Sequence, residues 1–215
     1  MRDAVAPVIL FLVIAFGLFV WFRYDARQRT SQFRAVAGEL GFTWSRGNDP
    51  ALLARLEGFH LLSLGSAPAI ENRMMGILAR VPVTVLEYSH GSLTSHATTR
   101  YLVLVRETTV ECGPFALRPR TGREVLTSGP GTVAGLERYP HLAGRYVLET
   151  SAPMEGVQPL LAHMELLAAS HDQPALECRN TLFVYYQMLN GEAVSAETVR
   201  QLLKDGLSLY ELLVG

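Results

Sequence analysis

Residues 4–22 hold no charged side chain, and nothing else in the chain limits its folding as strongly. At 1.5 Å per residue a helix over this stretch reaches roughly 28 Å, close to the hydrocarbon core of a bilayer. Inside lipid only a helix lets such a segment satisfy its own backbone groups. Pro7 falls in the first turns, where its missing N–H costs least. Trp21 and Tyr24 lie at the far end, where amphipathic rings favour the headgroup level. A cleaved signal peptide would have a shorter apolar core followed by small residues. This run ends instead in Trp-Phe-Arg-Tyr-Asp, so an uncleaved transmembrane anchor is expected. Arg23, Arg27, Arg29 and Arg34 follow the run and only Arg2 precedes it. Since basic residues stay on the cytoplasmic side, these four predict a single-pass membrane protein with a cytoplasmic body and its N-terminus outside. They are also the candidate lipid-facing basic residues, each contributing about 1 kcal/mol against anionic headgroups.

Behind the anchor the pattern divides the chain into residues 1–25 as the transmembrane segment, 26–41 as a juxtamembrane stalk helix and 42–215 as a soluble α+β domain. Phe33, Val36, Ala37 and Leu40 share one helical face in the stalk, and Gly41 supplies its stop. Asp49-Pro50 marks the start of a short helix, with a capping carboxylate and a proline at the first helical position. From residue 59 to 148 strands dominate the reading: 59–64, 69–79, 83–88, 101–106, 115–118 and 145–148, with Gly76 as a candidate bulge. Residues 90–99 and 120–140 read as polar or Gly/Pro-rich loops. A sub-boundary near 150–154 precedes a change of pattern to helix, strand, strand, helix. Val157, Leu160, Leu161, Met164 and Ala168 form one helical stripe, with Pro159 expected in its first turn. Two paired strands, 175–178 and 181–189, then lead to a helix capped by Ser195, with Val194 and Val199 placed as a hydrophobic staple. The fold class expected is α+β: one N-terminal transmembrane helix followed by a β-rich domain ending in helix–strand–strand–helix.

Several of these residues form a pattern of their own: Leu40-Gly41-Phe42, Asp49-Pro50 with Leu53 and Leu56, then Phe59, Gly65, Ile70, Asn72, Gly76, Val83-Thr84-Val85 and Tyr88. Phe115-Ala116-Leu117-Arg118-Pro119, His141 and Arg145-Tyr146 continue it. In this the chain resembles a family of bacterial single-pass membrane-anchored proteins to which no activity is assigned. The resemblance implies a bacterial inner-membrane location and carries no catalytic residue.

Motifs for familiar chemistry are incomplete. The formal net charge of −1 gives no broad nucleic-acid-binding face, so no nucleic acid partner is expected. Residues 128–135 hold Gly129, Gly131 and Ala134 at relaxed dinucleotide spacing, but Pro140 cuts short the helix such a site requires. His60, His90, His96, His141, His163 and His171 include no His-Glu-x-x-His pair, so no metal is expected. Two cysteines, Cys112 and Cys178, are too few for a disulfide scaffold; one bridge stays open, as do reduced thiols in a cytosolic setting. Arg179 follows Cys178, but adjacent strand residues point to opposite faces. Glu107 with Glu111 and Glu192 with Glu197 read as solvated charges or helix-dipole partners. No cofactor is expected. The pattern predicts a membrane-tethered binding or assembly module without catalysis, its partners being the lipid bilayer and a membrane protein. The alternative is a membrane-surface hydrolase assembled from the loops around His90–His96 and Gly129–Gly135. Four arginines beside the anchor give a third reading, a lipid-sensing domain.

Overall fold

The computed structural model describes residues 5–78, 80–91, 98–120, 135–150, 154–170, 173–189 and 194–214; the side chains of residues 5–12, 109–112, Leu18, Phe22, Glu155 and Val214 lie outside that description. In chain order the elements are α1 (Val5–Glu39), β1 (Thr43–Arg46), α2 (Pro50–Arg55), a 3-10 turn (His60–Ser63), β2 (Ser66–Leu78), β3 (Val81–Gly91), β4 (Thr98–Pro119), β5 (Tyr146–Thr150), α3 (Met154–Ser170), β6 (Ala175–Met188) and α4 (Ala196–Val214).

Among the described residues six strands make one antiparallel sheet organised by β4. Leu104 pairs with Val85 of β3 on one edge and Tyr185 of β6 on the other. Farther along, Phe115 pairs with Thr150 of β5 and Cys178 of β6. Thus β3 and β5 follow one another along one edge of β4, and β6 takes the other edge. One face of the sheet, with Met74, Val85, Leu104, Phe115, Leu117, Phe183 and Tyr185, is covered by the last turns of α1 and by α3 and α4. The opposite face, with Ile70, Leu86, Tyr88, Tyr101, Val103, Val184 and Tyr186, is covered by Leu52 and Leu56 of α2 and by Phe59 and Leu61.

Local signals act as their chemistry dictates. The Asp49 Oδ1 accepts the Leu52 N–H at 3.0 Å and Pro50 opens α2. The Ser195 Oγ accepts the Thr198 N–H at 3.0 Å at the head of α4. Phe33, Val36 and Ala37 are buried, and Gly41, at φ +70, ends α1 in the left-handed conformation that glycine adopts without steric cost.

Among the described residues no helix is long and apolar enough to cross a membrane. This corrects the expected transmembrane anchor over residues 4–22, and with it the single-pass inner-membrane location and the cytoplasmic body. Residues 1–4 lie outside the described residues.

Other expectations are also corrected. Residues 59–64 are not a strand. Their main chain curls into a 3-10 turn because a carboxylate on β6 captures two of its N–H groups. Residues 101–106 and 115–118 belong to one long strand, as do 175–178 and 181–188, so the C-terminal pattern is helix–strand–helix. The polar Arg179-Asn180 pair does not break β6. Asn180 takes φ +54, which asparagine tolerates, and the register with β4 shifts there. No bulge marks Gly76: the register shifts of β2 fall between Ser66 and Ala69 and between Ile70 and Asn72. Hydrogen in place of a side chain at Gly76 instead leaves room for the Phe42 ring. Pro159 lies inside α3, which starts at Met154, and not in its first turn, so one backbone hydrogen bond is forgone.

Candidate functional site

The strand alternation that buries Phe115 and Leu117 against the helices sends Ala116 and Arg118 to the other face. In the same way Glu177 and Arg179 of β6 and Glu149 of β5 take that face. Ala116 is cross-strand partner to both Glu149 and Glu177. A small side chain is therefore ringed by four charged ones. The result is a cleft of about 400 Å³, lined by these five residues together with Phe59, His60, Leu62, Ser63 and Pro114. Along β4 and β6 the same face of the sheet is apolar under α2 and becomes charged once the strands pass the irregular register near Asn180.

Glu177 is the keystone. It is 4% exposed, and its carboxylate accepts the backbone N–H of His60 at 2.6 Å, that of Leu61 at 3.1 Å and the Tyr186 hydroxyl at 2.8 Å. Burial raises its pKa, opposed by those three hydrogen bonds and the charge of Arg118. The partner Tyr186 phenol is held well above its ordinary value, first by burial and then by the Glu177 charge. Arg118 is 6% exposed and donates to Glu149 at 2.8 Å. The Arg179 guanidinium lies over Gly58: a Cβ at that glycine would sit 2.6 Å from Nη1. The Ser63 hydroxyl donates to the His60 carbonyl at 2.8 Å and lies 3.0 Å from His60 Nδ1, a contact internal to the 3-10 turn.

A second cleft of about 290 Å³ adjoins the first through His60 and is lined also by Leu64, Tyr101, Pro119, Arg120, Gln173 and Tyr186. Beneath it the rings of Tyr88, His90, Tyr101 and Tyr186 pack together, with His90 stacked on Tyr101 at 5.7 Å. Burial pushes the Tyr88 phenol up to about 12. His90 is 5% exposed and fits only because residue 65 is glycine; a Cβ there would collide with His90 Nδ1 and the Gly91 carbonyl. Gly65→Ala is expected to cost about 1–3 kcal/mol by overpacking against main chain, measured by urea unfolding.

The four arginines singled out from the sequence make different contacts. Arg23 lies over the Phe19 ring at 5.3 Å and Arg27 is exposed. Arg29 pairs with Asp25 and reaches within 3.9 Å of the buried Glu87, while Arg34 covers the Trp44 ring at 5.4 Å. The second pair thus fastens α1 to the body. His90 is core; His96, His171 and Gly129, Gly131 and Ala134 lie outside the described residues. So do Glu192 and the side chains of Cys112 and Glu111. Cys178 is buried, Glu107 pairs with Arg55 at 2.6 Å, and Glu197 is 3.7 Å from Arg200. Sequence reasoning missed Glu149 and Glu177 altogether. The alternation that dismissed an Arg179–Cys178 pairing, carried across to β4 and β5, would have placed Arg179 beside Glu177, Arg118 and Glu149.

No protein-family model matches the chain, and no curated protein matches it. Among solved structures it is similar to the crystal structure of a mycobacterial trehalose monomycolate transport factor. The TM-score is 0.57 at 13% identity, over 87% of this chain and 96% of that one, which is a likeness of fold.

Proposed function

We propose that the protein is a membrane-associated binding or assembly module without catalysis of its own. The observation that carries this is on α1. Val13, Ile14, Phe16, Phe19, Val20 and Trp21 are all exposed, on a helix whose last turns are part of the core. These turns are apolar all round and have no water-facing side, so an apolar medium must cover them. Burying six such side chains is worth on the order of 10 kcal/mol, at about 1.5–3 kcal/mol each. Arg23 and Arg27 would add only about 1 kcal/mol each against anionic lipid. Association therefore rests on apolar burial, which favours a membrane-associated module over a lipid sensor that reads charge. The structural neighbour is named as a transport factor. That label, taken over to this chain as part of the proposal, fits a protein that binds and positions rather than transforms. A membrane protein docking on the clefted body is the finer form of the same reading.

Flotation of the full chain with neutral phosphatidylcholine vesicles tests it. Most of the protein should rise with the lipid, at low and high salt alike. A Phe16→Asp, Phe19→Asp, Val20→Asp variant with an unchanged circular dichroism spectrum should stay behind, a loss of at least tenfold. Wild-type protein that does not float, or a triple variant that floats equally well, would overturn the proposal.

A further inference from the structure

We propose that the cleft over Ala116 binds a small monocarboxylate with an apolar body, its carboxylate received by Arg179 at the mouth with Arg118 behind it. The two positive groups differ in their state. Arg118 is buried and already donates to Glu149. Arg179 is exposed and, among the described residues, has no ion pair, yet its guanidinium is laid across Gly58 at the rim. A planar fork of this kind suits a carboxylate, which it can meet with two parallel hydrogen bonds.

The remaining lining sets the rest of the ligand. Phe59, Leu62, Pro114 and Ala116 supply apolar wall, and the volume of about 400 Å³ lies within the range of small-molecule sites. Two carboxylates, Glu149 and Glu177, share the cleft with the two guanidinium groups. A dianion such as a phosphate ester would add two like charges to that set, whereas a monocarboxylate adds one. A mere solvated sheet surface does not account for the arrangement, because Arg118 and Glu177 are both more than nine-tenths buried. Nor does ordinary core packing, because the same face is filled with aliphatic and aromatic side chains wherever it lies under α2.

The test uses the full chain in a mild detergent and follows benzoate by ligand-observed NMR, with benzamide and inorganic phosphate as comparisons. Benzoate should bind saturably in the millimolar range or tighter, and more tightly than either comparison by at least tenfold. Arg179→Ala, at an exposed side chain, should weaken benzoate binding at least tenfold. Ala116→Leu, which fills the floor, should abolish it while Arg179 remains. Benzoate that fails to saturate, that binds no better than benzamide, or that binds both variants like wild type would overturn the proposal. Vesicle flotation is unaffected by either variant under this proposal, so its failure is distinguishable from that of the membrane-associated reading.

Discussion

Replacing Glu177 with alanine should destabilise the fold by about 3–5 kcal/mol, because three donors, two of them buried, lose their acceptor at once. The donors are the N–H groups of His60 and Leu61 and the hydroxyl of Tyr186. Two of them could recover little from solvent, since Leu61 and Tyr186 are buried. The loss would spread beyond the side chain. The carboxylate is what ties the 3-10 turn to β6, and Phe59 and Leu61 of that segment belong to the second core. Urea unfolding of the full chain in mild detergent reads the cost. A loss under 1 kcal/mol would show that the turn holds its shape without this carboxylate.

The same group makes a pH prediction of definite sign. Burial raises the Glu177 pKa above the ordinary 4.5, so the folded state keeps its proton to higher pH than the unfolded chain does. The facing groups are Arg118 on β4, Tyr186 on β6 and the N–H groups of the turn, and all favour the charged form without reversing the effect of burial. The contribution is fully present below the unfolded value and is lost as pH rises through the folded one. Wild type should therefore lose stability relative to Glu177→Gln, which does not titrate, as pH rises above 4.5. A wild type that instead gains stability relative to Glu177→Gln as pH rises would mean that the hydrogen bonds outweigh burial.

How much of this could be read beforehand depends on whether the signal was local. The caps at Asp49 and Ser195, the α1 face of Phe33, Val36 and Ala37, and the stop at Gly41 are set by neighbours a few residues away, and they appear as expected. Residues 59–64 alternate well enough to read as a strand. They become a turn only because a carboxylate more than a hundred positions later takes their N–H groups. Arg179-Asn180 looked like a break between strands, yet the long partner β4 holds both halves in one ladder. The site was hidden for the same reason. Arg118, Glu149, Glu177 and Arg179 lie on three strands, and only the pairing of Ala116 with both Glu149 and Glu177 brings them together. The apolar run at the N-terminus was legible as a hydrophobic helix. Its assignment as a span was not upheld among the described residues.

Phe33→Ala should cost about 3–5 kcal/mol, the usual range for truncating a fully buried phenylalanine. Phe33 is 0% exposed and sits with Val36 and Ala37 in the core that α3 and α4 complete. The polar contacts at this junction are weaker anchors. Arg200 donates to Glu39 at 2.7 Å, but both side chains are about half exposed, and such a pair is worth about 0–1 kcal/mol after screening. Arg200→Ala should thus change urea stability by less than about 1 kcal/mol. The Glu87 node is different in kind: Glu87 is 2% exposed, accepts from Asn72 Nδ2 at 2.5 Å and lies 3.9 Å from Arg29 Nε. It is the point at which Arg29 of α1 approaches a buried carboxylate on β3, while Phe33 supplies the apolar contact. The consequence for the proposed function is mechanical. With Phe33 in place, the exposed apolar turns at Val13–Trp21 are held at a set angle to the cleft-bearing sheet. In Phe33→Ala the apolar turns remain, so vesicle flotation should persist. The distance distribution between spin labels at Gln28 and Lys204 should broaden, because α1 has lost its grip on the body. Unchanged distances together with a small stability loss would place the attachment of α1 elsewhere, in the polar contacts after all.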